Sequence, residues 1–314
     1  MRPAICLLVT FLLVGAGCGQ QAETPLPEQK IRIASGLPGG VYRVYARAYA
    51  EVLNAHVPRL RASALTTEGS VENLRRLDAR TAEVAFSLAD TAGPAKAGRS
   101  PFKRRLRIKA LARLYEDYVQ VIARREAGLD GVTDLKGKTV SIGARGSGTA
   151  LTAKRILKHL GMRGARGPRT LSLPLRQSAD ALAAGRIDAF FWSGGLPTAA
   201  IENLSAEVRL RLLALPVGTA AALDRDLYTE TQIPQYVYDS GRAARTVAAG
   251  NLLVVREDLP EETAFRLTRA LFEHRRELER HHSEARGLNR RDARSVYPLD
   301  LHSGAARWYR ESRP

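Results

Sequence analysis

The chain has 314 residues, with 49 Lys and Arg against 32 Asp and Glu and a formal net charge of +17. That length supports two domains or one large one, each with its own core, so size alone demands neither disulfides nor a structural metal. The basic residues are interleaved with acids, as in RRDAR and FEHRRELERHH, and only 6% of residues are aromatic, so the chain has neither the charged arm nor the stacking platforms of a nucleic-acid binder.

The chain opens with MRPAICLLVTFLLVGAGC: one arginine, an apolar run too short to span a bilayer comfortably, then small residues ending in Cys18. This is the three-part order of a secretory signal over residues 1–17. Gly15, Ala16, Gly17 and Cys18 resemble the lipobox of bacterial lipoproteins, which implies acylation at Cys18 and a membrane anchor; simple cleavage near Gly17 is the alternative. Cys6 lies in the segment that would be removed, so neither cysteine is a metal-ligand or nucleophile candidate. Residues 18–30 are polar and proline-containing, as suits a tether.

From residue 31 the pattern alternates between strands and helices. IRIAS predicts a strand and VYRVYARAYAEVLN an amphipathic helix with Val41, Val44, Tyr45, Ala48 and Val52 on one face. Strand LRASALTT, helix SVENLRRLDA, strand EVAFS and the helix-like DTAGPAKA follow, then strands over 106–115 and 118–124. The middle of the chain repeats the theme with TVSIG, helix ALTAKRILKHL, strand-like RTLSLPL, helix SADALAAG and strand RIDAFFWSG. Helix PTAAIENLSA, strand VRLRLLALP and helix AALDRDLY come next. Strand NLLVVRE (251–257) and one long helix from Pro260 to His282 close the pattern. Such alternation predicts an α/β protein with largely parallel sheets.

Five loops after strand ends are rich in Gly and Ser: SGLPGGVY, TEGSVEN, SLADT, GARGSGT and WSGGLPT. In open parallel sheets, ligands bind at the carboxyl ends of strands, where small residues let backbone amides approach an anion. Catalytic signatures are missing. GVTDLKGKT has the wrong spacing for a phosphate loop, and GxSxG fails because Arg145 stands two residues before Ser147. The six histidines form no metal-binding spacing, and no pair of carboxylates is placed as an acid/base couple. No cofactor or metal is expected.

Taken together, IASGLPGGVY, TTEGSVENLRRL, EVAFSLAD, LARLYEDYVQV, DLKGKTVSIGARGSGT, GRIDAFFWSGGLPT, NLLVVREDLP and LTRALFEH resemble the TAXI family of solute-binding receptors for TRAP (tripartite ATP-independent periplasmic) transporters. The resemblance implies a two-lobed type II periplasmic-binding fold, with lobe one at 31–117 plus 247–314, lobe two at 118–246, and crossover hinge strands between them. It implies a monomeric periplasmic receptor, not an enzyme, that captures a glutamate-like amino acid or dicarboxylate for a TRAP permease. Carried over by motif, lobe one would offer Ser35, Gly36, Gly39, Gly40, Tyr42, Ser87, Asp90 and Tyr115. Lobe two would offer Ser147, Gly148 and Thr149 as a carboxylate cradle, with Trp192, Ser193, Gly194 and Gly195 facing them. Tyr42 and Trp192 would cover the carbon skeleton, unless they are plain core residues.

Three departures from the family pattern bear on the solute. Arg145 stands where many members have proline, and either forks onto a carboxylate or points to solvent. LYED replaces LYPE, and residues 233–250 lack the usual glycine turn after Ile-Pro. Two rival readings share the features: an enzyme on the same lobed fold, and a surface interaction lipoprotein or sensor without a permease.

Overall fold

The computed structural model describes residues 28–312, so the signal segment, Cys18 and almost all of the tether lie outside the described residues. Ten strands form one mixed sheet: β1 (Gln29–Ala34), β2 (Leu60–Leu65), β3 (Val84–Leu88), β4 (Ile108–Arg124), β5 (Thr139–Ser141), β6 (Arg169–Leu171), β7 (Ala189–Gly194), β8 (Leu210–Leu212), β9 (Tyr228–Ile233) and β10 (Ala244–Arg256). The strand order is β2-β1-β3-β10-β4-β7-β5-β6, with β8 added to β4 and β9 to β10. Parallel pairs β1–β2, β1–β3, β5–β6 and β5–β7 need crossovers, which the helices supply. These helices are α1 (Val41–His56), α2 (Ser70–Asp78), α3 (Ala89–Ala97), α4 (Gly148–His159), α5 (Leu175–Ala183), α6 (Ala199–Glu207), α7 (Thr219–Asp224), α8 (Glu261–Glu273), α9 (Arg275–His281) and α10 (Ser303–Glu311).

Two strands are long enough to serve both halves of the sheet. At roughly 3.3 Å per residue, the 17 residues of β4 reach about 55 Å. Along β4, residues from Ile108 to Tyr118 pair with β10, and residues from Tyr118 to Ala123 pair with β7. β10 likewise meets β3 through Asn251–Val255 and β9 through Ala244–Ala249. Both strands therefore change partners midway, which is how a sheet carries the chain from one half to the other.

Each half buries both faces. In the first half, Tyr45, Tyr49, Phe86 and Leu253 pack on one side, and Leu74, Leu77, Ala85 and Val254 on the other. In the second, Val121 and Phe191 meet α4 while Ile122 and Phe190 meet α5, the period-two alternation of strands covered on both faces. Each large apolar side chain buried this way contributes roughly 1.5–3 kcal/mol relative to exposure.

Four sequence expectations change. The sheet is mixed where largely parallel pairing is expected: five of its nine strand pairs are antiparallel, all of them involving the long strands β4 and β10, which run against their neighbours. The strands expected at 106–115 and 118–124 are one strand, because Glu116 lies against Arg113 at the surface and Asp117 turns inward, so the acids do not interrupt pairing. The helix expected over 260–282 breaks at His274, whose ring stacks on His56 with centroids 3.6 Å apart. The helix expected through Tyr228 ends at Asp224, and Tyr228 instead opens β9, whose middle residues are largely exposed and so carry no apolar alternation.

Candidate functional site

All five Gly- and Ser-rich loops meet at one cleft between the two halves of the sheet. The first loop contributes Gly36, Gly40 and Tyr42, the second Glu68, Gly69 and Ser70, and the third Leu88. The fourth contributes Ala144, Ser147, Gly148 and Thr149, and the fifth Trp192, Ser193 and Gly194; Tyr115 and Asp117 from β4 form the floor. Leu37, Val41 and Leu175 complete an apolar wall.

Three helices begin in this lining, α1 at Val41, α2 at Ser70 and α4 at Gly148. The first amides of a helix lack intrahelical partners and carry its positive end. At α4, Ser147 is the N-cap, and its Oγ accepts from the Ala150 amide at 3.0 Å. The amides of Gly148 and Thr149 remain without a helical partner. Thr149 Oγ1 accepts the Ser193 amide at 3.1 Å, which ties the fourth loop to the fifth and leaves the threonine proton free to donate. The Trp192 indole is held by its Nε1–H to Thr198 Oγ1 at 3.0 Å and lies against Gly40. Glycine is required at Gly69, whose φ of +118° L side chains rarely adopt, while a Cβ on Gly40 would meet the Trp192 ring at 3.4 Å, in ordinary contact.

The two halves touch across the cleft. The Glu72 amide donates to the Gly146 carbonyl at 3.1 Å, and Glu284 Oε1 accepts the Leu196 amide at 2.8 Å. This is a shut conformation.

Several residues expected at the site lie elsewhere. Ser35 Oγ donates to the Leu65 carbonyl at 2.6 Å and Ser87 Oγ to the Leu88 carbonyl at 3.0 Å, so both hydroxyls serve the strand ends. Gly39 packs on Ala200, and Gly195 makes room for Glu284, whose Oε1 lies 2.7 Å from where a Cβ would stand. Asp90 is fully buried behind the cleft, where its carboxylate accepts from Thr91, Thr152, Arg155 and Tyr228. Arg145 is exposed and outside the lining, so Arg145→Ala is expected to leave solute affinity within about twofold, as a solvated surface side chain does; calorimetric titration reads this, and a tenfold loss would return the arginine to the site.

Glu68, Ser70, Leu88 and Asp117 are lining residues that sequence reasoning passed over. The signal for Asp117 is its spacing two residues from Tyr115 on a continuous strand, which puts both on one face. Burial pushes the Asp117 carboxyl well above the usual carboxylate range, with Glu284, Glu116 and Asp90 adding to the rise and Asn251 pulling it back. Glu68 is also raised, by burial and by Glu72. Among the described residues that line the cleft there is no lysine, arginine or histidine.

Burial lifts Glu284 to about 7 from an ordinary 4.5. The folded chain therefore holds this proton more tightly than the unfolded chain, and stability falls as pH rises through that window. Melting temperature is expected to drop between about pH 5 and pH 7, and Glu284→Gln to flatten part of that slope; an unchanged slope would remove Glu284 as its source.

Outside the cleft, His56 and His274 share Glu277, whose Oε1 lies 3.0 and 3.1 Å from their nearest ring nitrogens. Among the described residues, no helix is long and apolar enough to cross a membrane.

Solved structures share this architecture at low identity. A binding component of an ABC phosphonate transporter from Pseudomonas aeruginosa superposes with a TM-score of 0.57 at 13% identity, covering 82% of this chain and 79% of its own. The alkanesulfonate-binding protein SsuA from Xanthomonas axonopodis pv. citri gives 0.51 at 17%, covering 92% and 85%. A putative L-cystine ABC transporter protein from Listeria monocytogenes gives 0.52 at 14%, covering 81% and 94%. The fold is thus that of two-lobed periplasmic binding proteins, as the sequence leads one to expect. Residues 33–312 match the NMT1-like family over nearly the whole described chain, and the protein belongs to that family.

Proposed function

We propose that the protein is an extracytoplasmic receptor, anchored through Cys18, whose lobes (31–117 with 247–314, and 118–246) close over a small carboxylate solute and present it to a membrane transporter. One observation carries this reading: five Gly- and Ser-rich loops and three helix N-termini, drawn from both halves of the sheet, converge on a single cleft. Backbone amides of Gly148 and Thr149 with the Thr149 hydroxyl bind the carboxylate, and Tyr42 and Trp192 flank the carbon skeleton. Because each half supplies part of the contacts, solute stabilises the shut state over the open one.

The neighbours named for phosphonate, alkanesulfonate and L-cystine import support a transport role for this fold, and the motif resemblance points to a TRAP-type permease as recipient. Glutamate-like amino acids and dicarboxylates are the solute classes that resemblance implies. A receptor fits better than an enzyme, since among the described residues that line the cleft the hydroxyls of Tyr42, Ser147 and Thr149 meet amides, carbonyls or other hydroxyls and not a carboxylate or histidine.

A thermal-shift screen of amino acids, dicarboxylates, alkanesulfonates and phosphonates tests the reading. A carboxylate present at 100 times its Kd should stabilise the fold by about 2.7 kcal/mol. No shift with any carboxylate, or shifts confined to sulfonates or phosphonates, would defeat it.

A further inference from the structure

We propose that Asp117 receives an ammonium group of the solute, so that the cleft selects α-amino acids over carboxylates that lack the amine. This rests on the reading of the cleft as a carboxylate receptor and adds to it a second, opposite pole.

Asp117 is 2% exposed, lines the cleft, and its Oδ1 has no hydrogen-bond partner. Among the described residues that line the cleft with it, none is cationic. Tyr42, which could have donated to it, gives its hydroxyl proton to Asn251 Oδ1, and the neighbouring charges that act on Asp117 come from Glu284, Glu116 and Asp90. A buried carboxylate without a charge partner is costly, and the cost is relieved when a cationic donor meets it. In a chain with a net charge of +17, a cleft without one basic side chain is a selective arrangement.

The other pole is the set of helix N-termini, above all that of α4, which favours an anionic group. Within one cleft the molecule therefore offers a positive end built from amides and a negative end at Asp117, with the Glu68 carboxyl, whose Oε2 is also unpartnered, in the same lining; this is the pattern of a zwitterion. Between them, Leu37, Leu88, Leu175 and Trp192 face the solute with apolar surface, which suits an uncharged side chain better than a second carboxylate. Burial holds the Asp117 carboxyl well above its ordinary range, and an ammonium against Oδ1 would restore its charged form.

Calorimetric titration of four matched pairs tests this: L-alanine and propionate, L-leucine and 4-methylpentanoate, L-phenylalanine and 3-phenylpropanoate, L-glutamate and glutarate. Each amino acid that binds is expected to do so at least about tenfold more tightly than its amine-free partner, the scale of one charged hydrogen bond. Asp117→Asn, close in shape, is expected to weaken amino acids about tenfold or more and their amine-free partners less than about threefold. Equal or tighter binding of an amine-free partner overturns the ammonium assignment while the carboxylate reading stands. An amine preference that survives Asp117→Asn overturns the role of Asp117. Binding by none of the eight defeats the carboxylate reading and this inference with it. Should the variant not fold, the wild-type ratios decide alone.

Discussion

Asp90→Ala is expected to lower the melting temperature by roughly 4–6 °C, on the basis of about 3 kcal/mol lost from a buried network in a chain of this size. Asp90 sits on α3 in the first half of the sheet and is fully buried. Its carboxylate gathers Thr152 at 2.7 Å and Arg155 at 3.2 Å from α4 in the second half, together with the Tyr228 hydroxyl from β9. Removing it leaves the Thr152 and Tyr228 hydroxyls buried and unpaired, which costs more than the bonds themselves contributed. The lower end of the range for breaking a buried pair applies, because the Arg155 side chain is 30% exposed and can turn to water. Since these contacts join the halves, solute affinity should fall as well. An unchanged melting temperature would show that the network is neutral to stability.

Gly148→Ala is expected to do the opposite: to leave the fold intact and weaken solute binding by roughly tenfold to a hundredfold. The position opens α4 in ordinary helical geometry, where alanine is favoured over glycine by up to about 1 kcal/mol. In the shut conformation, however, an added Cβ would lie 2.7 Å from both Leu88 Cδ1 and Ser70 Oγ across the cleft. Overpacking of that kind costs roughly 1–3 kcal/mol, and here it falls on the shut state alone. Melting temperature without solute should hold or rise while the calorimetric Kd rises. Unchanged affinity would mean that the solute does not need the lobes to meet at α4.

The alternation of strands and helices made the fold class legible, because helix and strand periods differ and glycine-rich turns separate them. The loops that reach the cleft were legible for the same reason: bare backbone after a strand end has few other uses. Individual contacts were less so. Ser87 and Asp90 lie in the right loop, yet Ser87 at the end of β3 gives its hydroxyl to the Leu88 carbonyl and Asp90 in the first turn of α3 is buried against Thr152 and Arg155 of α4, while Leu88 reaches the cleft. Asp117 was hidden because two adjacent acids look like a break between strands; only the partner switch at Tyr118 keeps β4 continuous and aims Asp117 inward. Arg145 attracted notice by its unusual residue type, but type says nothing of direction, and it faces solvent.

Trp192 supplies the most direct test of the central claim that solute is held in this cleft. The chain has two tryptophans, and Trp308 is buried in the core against Phe272, so cleft occupancy should report through Trp192 alone. Titration with the amino acid that stabilises the fold most should change tryptophan emission saturably. The change should vanish in Trp192→Phe while calorimetry still records binding. Emission that responds equally in Trp192→Phe, or calorimetric saturation of the wild type without any change in emission, would place the solute somewhere else.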